Sequence, residues 1–316
     1  MSNRVTAVVI LTYFSVALII LLSAYFFPVK FDVSTILSIS MLILIYIWHR
    51  NYLKKQKLSK EIVKRDKGTM LFWIFVLFIL ALSVRIPFVL LFGMPYEKAP
   101  LIYLVILTII VIEKTDVSAF GFKTQNIGKS LFHGILFYAV FGGLVLLILY
   151  ILIYTFTGQP PVTSYNIVPF LLTVPFQTLL VGVSEEGFFR GYTQTHLEKF
   201  YSSNKAIFVQ AILFGIWHFV WNLSPFDPWS MAQYVATTCF VGLLFGYFYS
   251  KARNLAPLVL AHGLWNSFPQ GIITNEAAFN ALQAIPMMNQ ILTGFLPYAV
   301  SGMLTFLFIK YLVKEI

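Results

Sequence analysis

From Val5 to Phe27 the chain carries no charged residue, and apolar runs recur from there to Val313. In lipid such a run finds no water for its backbone, so it must close its hydrogen bonds internally, as a helix. Ten segments read as spans: Val5–Phe27, Val33–Trp48, Thr69–Phe92, Ala99–Ile112, Leu131–Phe156, Ile167–Thr195, Ala206–Asn222, Ala232–Ser250, Leu255–Phe268 and Ile291–Val313. Several are short or broken by Pro87, Pro169 or Pro175, so about eight to ten crossings are expected. A soluble fold is excluded by composition. With 59% apolar and 11% charged residues, too little polar surface remains to cover 316 residues; soluble domains carry roughly a quarter charged. The first run follows Arg4 like a signal peptide, but it is long enough to span and lacks a small-residue cleavage site. It is expected to stay as the first helix. The fold class expected is an all-α polytopic membrane protein.

Basic residues orient the chain. With the N-terminus inside, the cytoplasmic face receives Arg4, the eight of the Arg50–Lys67 block, and Lys114, Lys123, Lys129, Lys199, Lys205, Lys251, Arg253, Lys310 and Lys314. The outside receives only Lys30 and Lys98, while Arg85 and Arg190 fall within spans. This asymmetry puts both termini in the cytoplasm and accounts for the net charge of +10 without nucleic acid. The basic block reads as an orientation signal rather than a partner site. A single cysteine, Cys239, excludes an internal disulfide and reads as a packed small hydrophobe. No internal repeat is visible. The organisation expected is 1–129 as N-terminal helices with the basic loop 50–67, 130–270 as the core, and 271–316 as an external loop and last helix.

Against this background Glu185 and Glu186 are anomalous. They lie deep in an apolar stretch, and an intramembrane carboxylate costs a few kcal/mol or more. Glu186 and Arg190 are spaced i, i+4, so they share a helix face and suit an ion pair. His218 and Asn222 have the same spacing, as do His262 and Asn266. Counted from the nearest cytoplasmic lysines and arginine, Glu185, His218 and His262 lie at depths of roughly 13–21 Å. Three helices thus bring carboxylates, imidazoles, amides and a guanidinium to one level. His49, His133 and His196 lie at or near span ends and read as structural or interfacial. Arg85, with Pro87 nearby, has no evident partner and reads as a snorkelling residue at a kink. Gly142-Gly143 and Gly242/Gly246 suit close helix packing, and Trp221 and Trp229 an interfacial belt.

Such a set suits hydrolysis. Adjacent carboxylates do not both ionise cheaply, and Arg190 would hold one as the anion. A carboxylate beside a neutral imidazole can take a proton from water and return it to a leaving amine. A second histidine with an amide can donate hydrogen bonds to an oxyanion. Zinc is the competing reading, with Glu185, His218 and His262 as ligands, although no His-Glu-x-x-His helix is present. A carboxylate-activated water with no cofactor is favoured.

The three segments Glu185-Glu186-Gly-Phe-Phe-Arg190, Phe214-Gly-Ile-Trp-His218 and His262-Gly-Leu-Trp-Asn266 resemble, in this order, the motifs of the CAAX prenyl protease and bacteriocin-processing (Rce1/Abi-like) intramembrane proteases. The resemblance covers about Leu131–Phe268. It implies a helical bundle with a polar intramembrane cavity open to the cytoplasmic side, in the multi-pass setting of a prokaryotic cell membrane. It implies Glu185 as the catalytic glutamate and His218 as its partner in activating water. His262 and Asn266 would stabilise the oxyanion, Glu186 and Arg190 would support, and Asn222 could join the polar cluster. Gly187 departs from the bulkier aliphatic residue many relatives carry, a change expected to loosen the helix. The implied partners are the lipid bilayer and a membrane-associated or prenylated protein or peptide. Relatives also include non-enzymatic scaffolds and bacteriocin self-immunity proteins, and a proton- or ion-coupled transporter is a third reading.

Overall fold

The computed structural model describes residues 3–26, 32–55, 58–62, 66–93 and 97–314. Lys30, Lys57, Lys64 and Arg65, and the side chains of His49, Lys54 and Lys55, fall outside what is described. The helices are α1 (Asn3–Phe26), α2 (Asp32–Lys55), α3 (Lys67–Phe92), α4 (Lys98–Leu107), α5 (Ile127–Tyr138), α6 (Leu144–Thr157), α7 (Ile167–Phe176), α8 (Val183–Glu186) and α9 (Thr195–Leu197). They continue as α10 (Ser203–Trp217), α11 (Pro228–Ala252), α12 (Ala256–Ser267), α13 (Glu276–Ala284) and α14 (Met287–Leu312). A two-stranded antiparallel ribbon joins β1 (Val162–Tyr165) to β2 (Ile272–Thr274). The chain is an all-helical polytopic membrane protein apart from that ribbon.

Among the described residues, six stretches are long and apolar enough to cross a bilayer: Arg4–Phe26, Lys67–Phe92, Ile127–Thr157, Ile167–Leu197, Pro228–Ala252 and Met287–Leu312. That is fewer than the eight to ten expected. The difference lies in the short elements: Ile36–Ile47 and Lys98–Ile112 are apolar but brief, and α10 and α12 have 15 and 12 residues. At 1.5 Å per residue, Lys98–Ile112 and α10 each measure about 22 Å, short of a hydrocarbon core of about 30 Å. Large apolar side chains meanwhile point outward, among them Phe72, Phe75, Leu91 and Phe295, each more than 60% exposed. In water this would be a defect; in lipid it is the expected surface.

The chain packs as two compact units. One comprises residues 1–125 and 179–255, the other 126–178 and 256–316. The division expected from sequence fell at 129 and 270; in the second unit α12 packs on α5 and α7.

In the first unit α10 and α11 make the most extensive helix pair. Gly242 permits it: a Cβ there would stand 3.0 Å from Ala211 Cα. Gly215 meets Val235 O and Cys239 in the same way, so the glycines serve close packing as the sequence suggested. Asp227 caps α11, accepting from Trp229 N at 3.0 Å and Ser230 N at 3.1 Å, with Pro228 at the first helical position. The Ser230 hydroxyl, followed by these amides, holds the Asp227 carboxyl below the usual carboxylate range. Asp66 caps α3 through Thr69 N at 2.9 Å, and Gly93, at φ 61°, closes its far end.

In the second unit α12 lies against α5 and α7, and α14 against α6. Gly263 lets α12 touch Thr178, whose Oγ1 lies 2.0 Å from where a Cβ would be. Asn166 and Asn275 cap α7 and α13 with their side-chain oxygens, at 3.0 and 3.1 Å.

Candidate functional site

The glutamate pair sits on an unusual stretch of backbone. α8 is one α-helical turn, Val183–Glu186, between π-helical segments Gln177–Gly182 and Gly187–Gln194. π-Helical turns interrupt the i to i+4 ladder and recur at functional sites, where they re-aim side chains. Both glutamates are buried, 2% and 0% exposed.

Each carboxylate has its own cation. Arg190 Nη1 donates to Glu186 Oε1 at 3.3 Å, the i, i+4 pair expected from spacing. Its Nη2 reaches Gly242 O at 3.4 Å, and its guanidinium lies over the Phe214 ring, 4.2 Å from the centroid. Glu185 Oε1 accepts from Lys98 Nζ at 2.5 Å and from Trp217 Nε1 at 2.9 Å, with Arg85 Nη1 at 3.9 Å. Its other oxygen, Oε2, faces His218 Nε2 at 3.9 Å. On the far side of that ring, Nδ1 lies 2.7 Å from Phe214 O. A carbonyl only accepts, so Nδ1 carries the hydrogen, and Nε2 is the nitrogen that faces Glu185.

Arg85 departs from the sequence reading. It is 1% exposed, forms an ion pair with Glu97, donates from Nε to Trp217 O at 3.1 Å, and stacks 4.4 Å from the Trp217 ring. It does not snorkel. Lys98, assigned to the outside by charge counting, is buried at 1% and also contacts Glu97 Oε1 at 2.8 Å. Arg85, Lys98, Glu97 and Glu185 thus form a buried group with two charges of each sign, the condition under which ions survive away from water. The cause is the shortness of Lys98–Ile112. A helix that cannot reach across draws its flanking charges inward.

His196 differs too. It is 4% exposed, with Nε2 at 3.1 Å from Glu113 Oε1, which also accepts from Tyr192 Oη at 2.9 Å. This second buried group joins the end of the Lys98–Ile112 helix to α9. His133 remains as expected, near a helix start with Nδ1 at 2.8 Å from Lys129 O. His218 and Asn222 do not share an α-helical face. α10 ends at Trp217, and a 3-10 turn, Phe219–Asn222, places Asn222 half-buried in the following loop. In the second unit, His262 and Asn266 share α12; His262 is buried, and Asn266 Nδ2 donates to Gln177 Oε1 at 3.1 Å.

Gly187 is explained by its neighbour. A Cβ there would lie 2.6 Å from Phe122 Cζ, so the ring takes the space a larger residue would fill. The site is filled rather than loosened. Gly187→Ala is expected to cost about 1–3 kcal/mol by overpacking, read as a lower thermal midpoint in detergent. Phe122→Ala in the same chain should recover part of the loss; no recovery would remove the steric account.

Along α3, Arg85 lies about 27 Å from Lys67 and about 10 Å from Phe92. Lys98 opens α4 and His218 follows α10. The polar group is therefore close to the ends of α3, α4 and α10 that carry Gly93, Glu97, Lys98 and residues 218–227.

Residues 167–268 match the family described as type II CAAX prenyl endopeptidase Rce1-like. The matched segment holds all three motifs. No curated protein and no solved structure matches the chain.

Proposed function

We propose that this chain, which carries a type II CAAX prenyl endopeptidase Rce1-like domain over residues 167–268, is an intramembrane endopeptidase. It hydrolyses a peptide bond in a membrane-associated or lipidated protein or peptide precursor. The observation that carries the reading is the facing of Glu185 Oε2 and His218 Nε2 at 3.9 Å inside the matched domain. With the His218 ring neutral both are acceptors, separated by more than a hydrogen bond, so one water can donate a hydrogen to each. As the water oxygen attacks the carbonyl carbon, Glu185 takes one proton, and the bond to the leaving nitrogen breaks as that proton passes to the amine. His262 and Asn266 are assigned to the developing oxyanion by the family resemblance. Glu186 and Arg190 hold the helix that carries Glu185.

A cytoplasmic opening of the site, expected from the resemblance, is part of this proposal. Substrate bonds would then be cut near the cytoplasmic face. Comparative peptidomics of wild-type and Glu185→Gln membranes tests both points, since it identifies the substrate and the position of the cut together. Identical peptide sets would leave a scaffold or immunity role instead.

Zinc fits this group poorly. Glu185 already holds the Lys98 ammonium, with Arg85 close behind, and a dication would face two positive charges at short range. Elemental analysis of active, purified protein is expected to give far less than one zinc per chain, with cleavage unchanged by chelators. Stoichiometric zinc lost together with activity would reverse this assignment.

A further inference from the structure

The proposed reaction needs one oxygen of Glu185 aimed at His218, yet a carboxylate on a flexible stem has no intrinsic reason to hold that orientation. The backbone does not supply it, because α8 is a single turn between π-helical segments. What fixes the group lies on other helices. Lys98 Nζ and Trp217 Nε1 both donate to Oε1, at 2.5 and 2.9 Å. Lys98 also lies 4.8 Å from the Trp217 ring centroid, and Glu97 Oε1 holds its ammonium from the other side at 2.8 Å. Arg85 completes the frame by gripping Glu97 and the Trp217 carbonyl.

We infer that Lys98 is a positioning residue for Glu185: by binding Oε1 it turns Oε2 toward His218, with Glu97 and Arg85 holding Lys98 in place. The inference rests on the peptidase reading for its purpose, but its geometry stands apart from that reading. Lys98 never touches the water or the substrate bond. The N-terminal helices, which lie outside the matched segment, thereby complete the machinery of the Rce1-like domain.

A simpler role would be charge balance alone, with Lys98 neutralising a buried carboxylate. The two roles separate in a paired variant. Lys98→Met leaves the group with an excess negative charge and is expected to destabilise the protein. Glu97→Gln/Lys98→Met removes one charge of each sign and is expected to restore the thermal midpoint of the full-length protein in detergent. The carboxylate stretching band of Glu185, isolated as an infrared difference against the matching Glu185→Gln protein, is expected to change frequency in both Lys98 variants. The yield of the peptides that distinguish wild-type from Glu185→Gln membranes should fall about 10²-fold in both, as small misplacements of a reacting group do. An unshifted band, or a wild-type yield from the stable double variant, overturns the inference. If no peptide distinguishes wild type from Glu185→Gln, the peptidase reading fails, while a shifted band still shows that Lys98 sets the hydrogen bonding of Glu185.

Discussion

Cleavage falls by about 10²–10⁴-fold in His218→Ala, the range expected when a group acting in proton transfer is lost, and falls little further when Glu185→Gln is added. Two residues that handle one water act as a unit, so removing either removes the function and the losses do not multiply. The geometry behind this is the 3.9 Å separation of Glu185 Oε2 and His218 Nε2, with the ring orientation set by Phe214 O. The measurement is the rate of product formation in purified single and double variants. If the two losses multiplied, the residues would be serving different steps and the shared water would be lost from the mechanism. His218→Asn is a useful companion, since an amide can keep one hydrogen bond but lacks the ring nitrogen that faces Glu185.

The largest stability effect is expected at Arg85, on a different helix. Arg85→Leu removes one cation from a buried group and leaves Glu97 with Lys98 shared between two carboxylates. Truncating one partner of a buried pair costs about 3–5 kcal/mol, chiefly through the charge left behind. Loss of the guanidinium stacked on Trp217 adds to this. The variant should show a markedly lower thermal midpoint in detergent. Arg85→Leu with Glu97→Leu, which removes one charge of each sign, should be much closer to wild type. A single variant as stable as the parent would mean that water reaches this group freely and that the burial argument is wrong.

Much of this could be read from spacing. A guanidinium four residues after a carboxylate in a helix must lie on its side, and Glu186 with Arg190 does so although the intervening turn is π-helical. Apolar run length gave the all-helical class for the same reason, since lipid leaves the backbone no other choice. Long-range partners were harder. Nothing local links Lys98 to Glu185, and charge counting placed Lys98 in water because it stands at the edge of an apolar run. One signal was present. Ala99–Ile112 is too short to cross, and charges flanking a short span are drawn inward. The end of α10 at Trp217 was also hidden: Phe219–Asn222 is as apolar as the helix before it, so only the 3-10 turn reveals that His218 and Asn222 part company. Gly187 could be noticed as unusual, but its reason is an aromatic ring from another part of the chain.

The brevity of α10 has a consequence for the surrounding lipid. This helix shows Phe208, Ile212 and Ile216 on its outer surface, yet measures only about 22 Å. Were it to cross alone, hydrocarbon of ordinary thickness would overhang it by about 8 Å, and acyl chains would compress or tilt beside it, at a cost that grows with each ångström of mismatch. A substrate helix approaching along this flank would leave the hydrocarbon early, and its last turn would lose the solvent that enforces helical hydrogen bonding. Turnover in liposomes should therefore depend on acyl-chain length, fastest in thin phosphatidylcholine bilayers and slower as the chains are lengthened, at constant headgroup and protein density. Under the proposed mechanism, a bilayer thinned at this helix would prepare the peptide bond for the water assigned to Glu185 and His218.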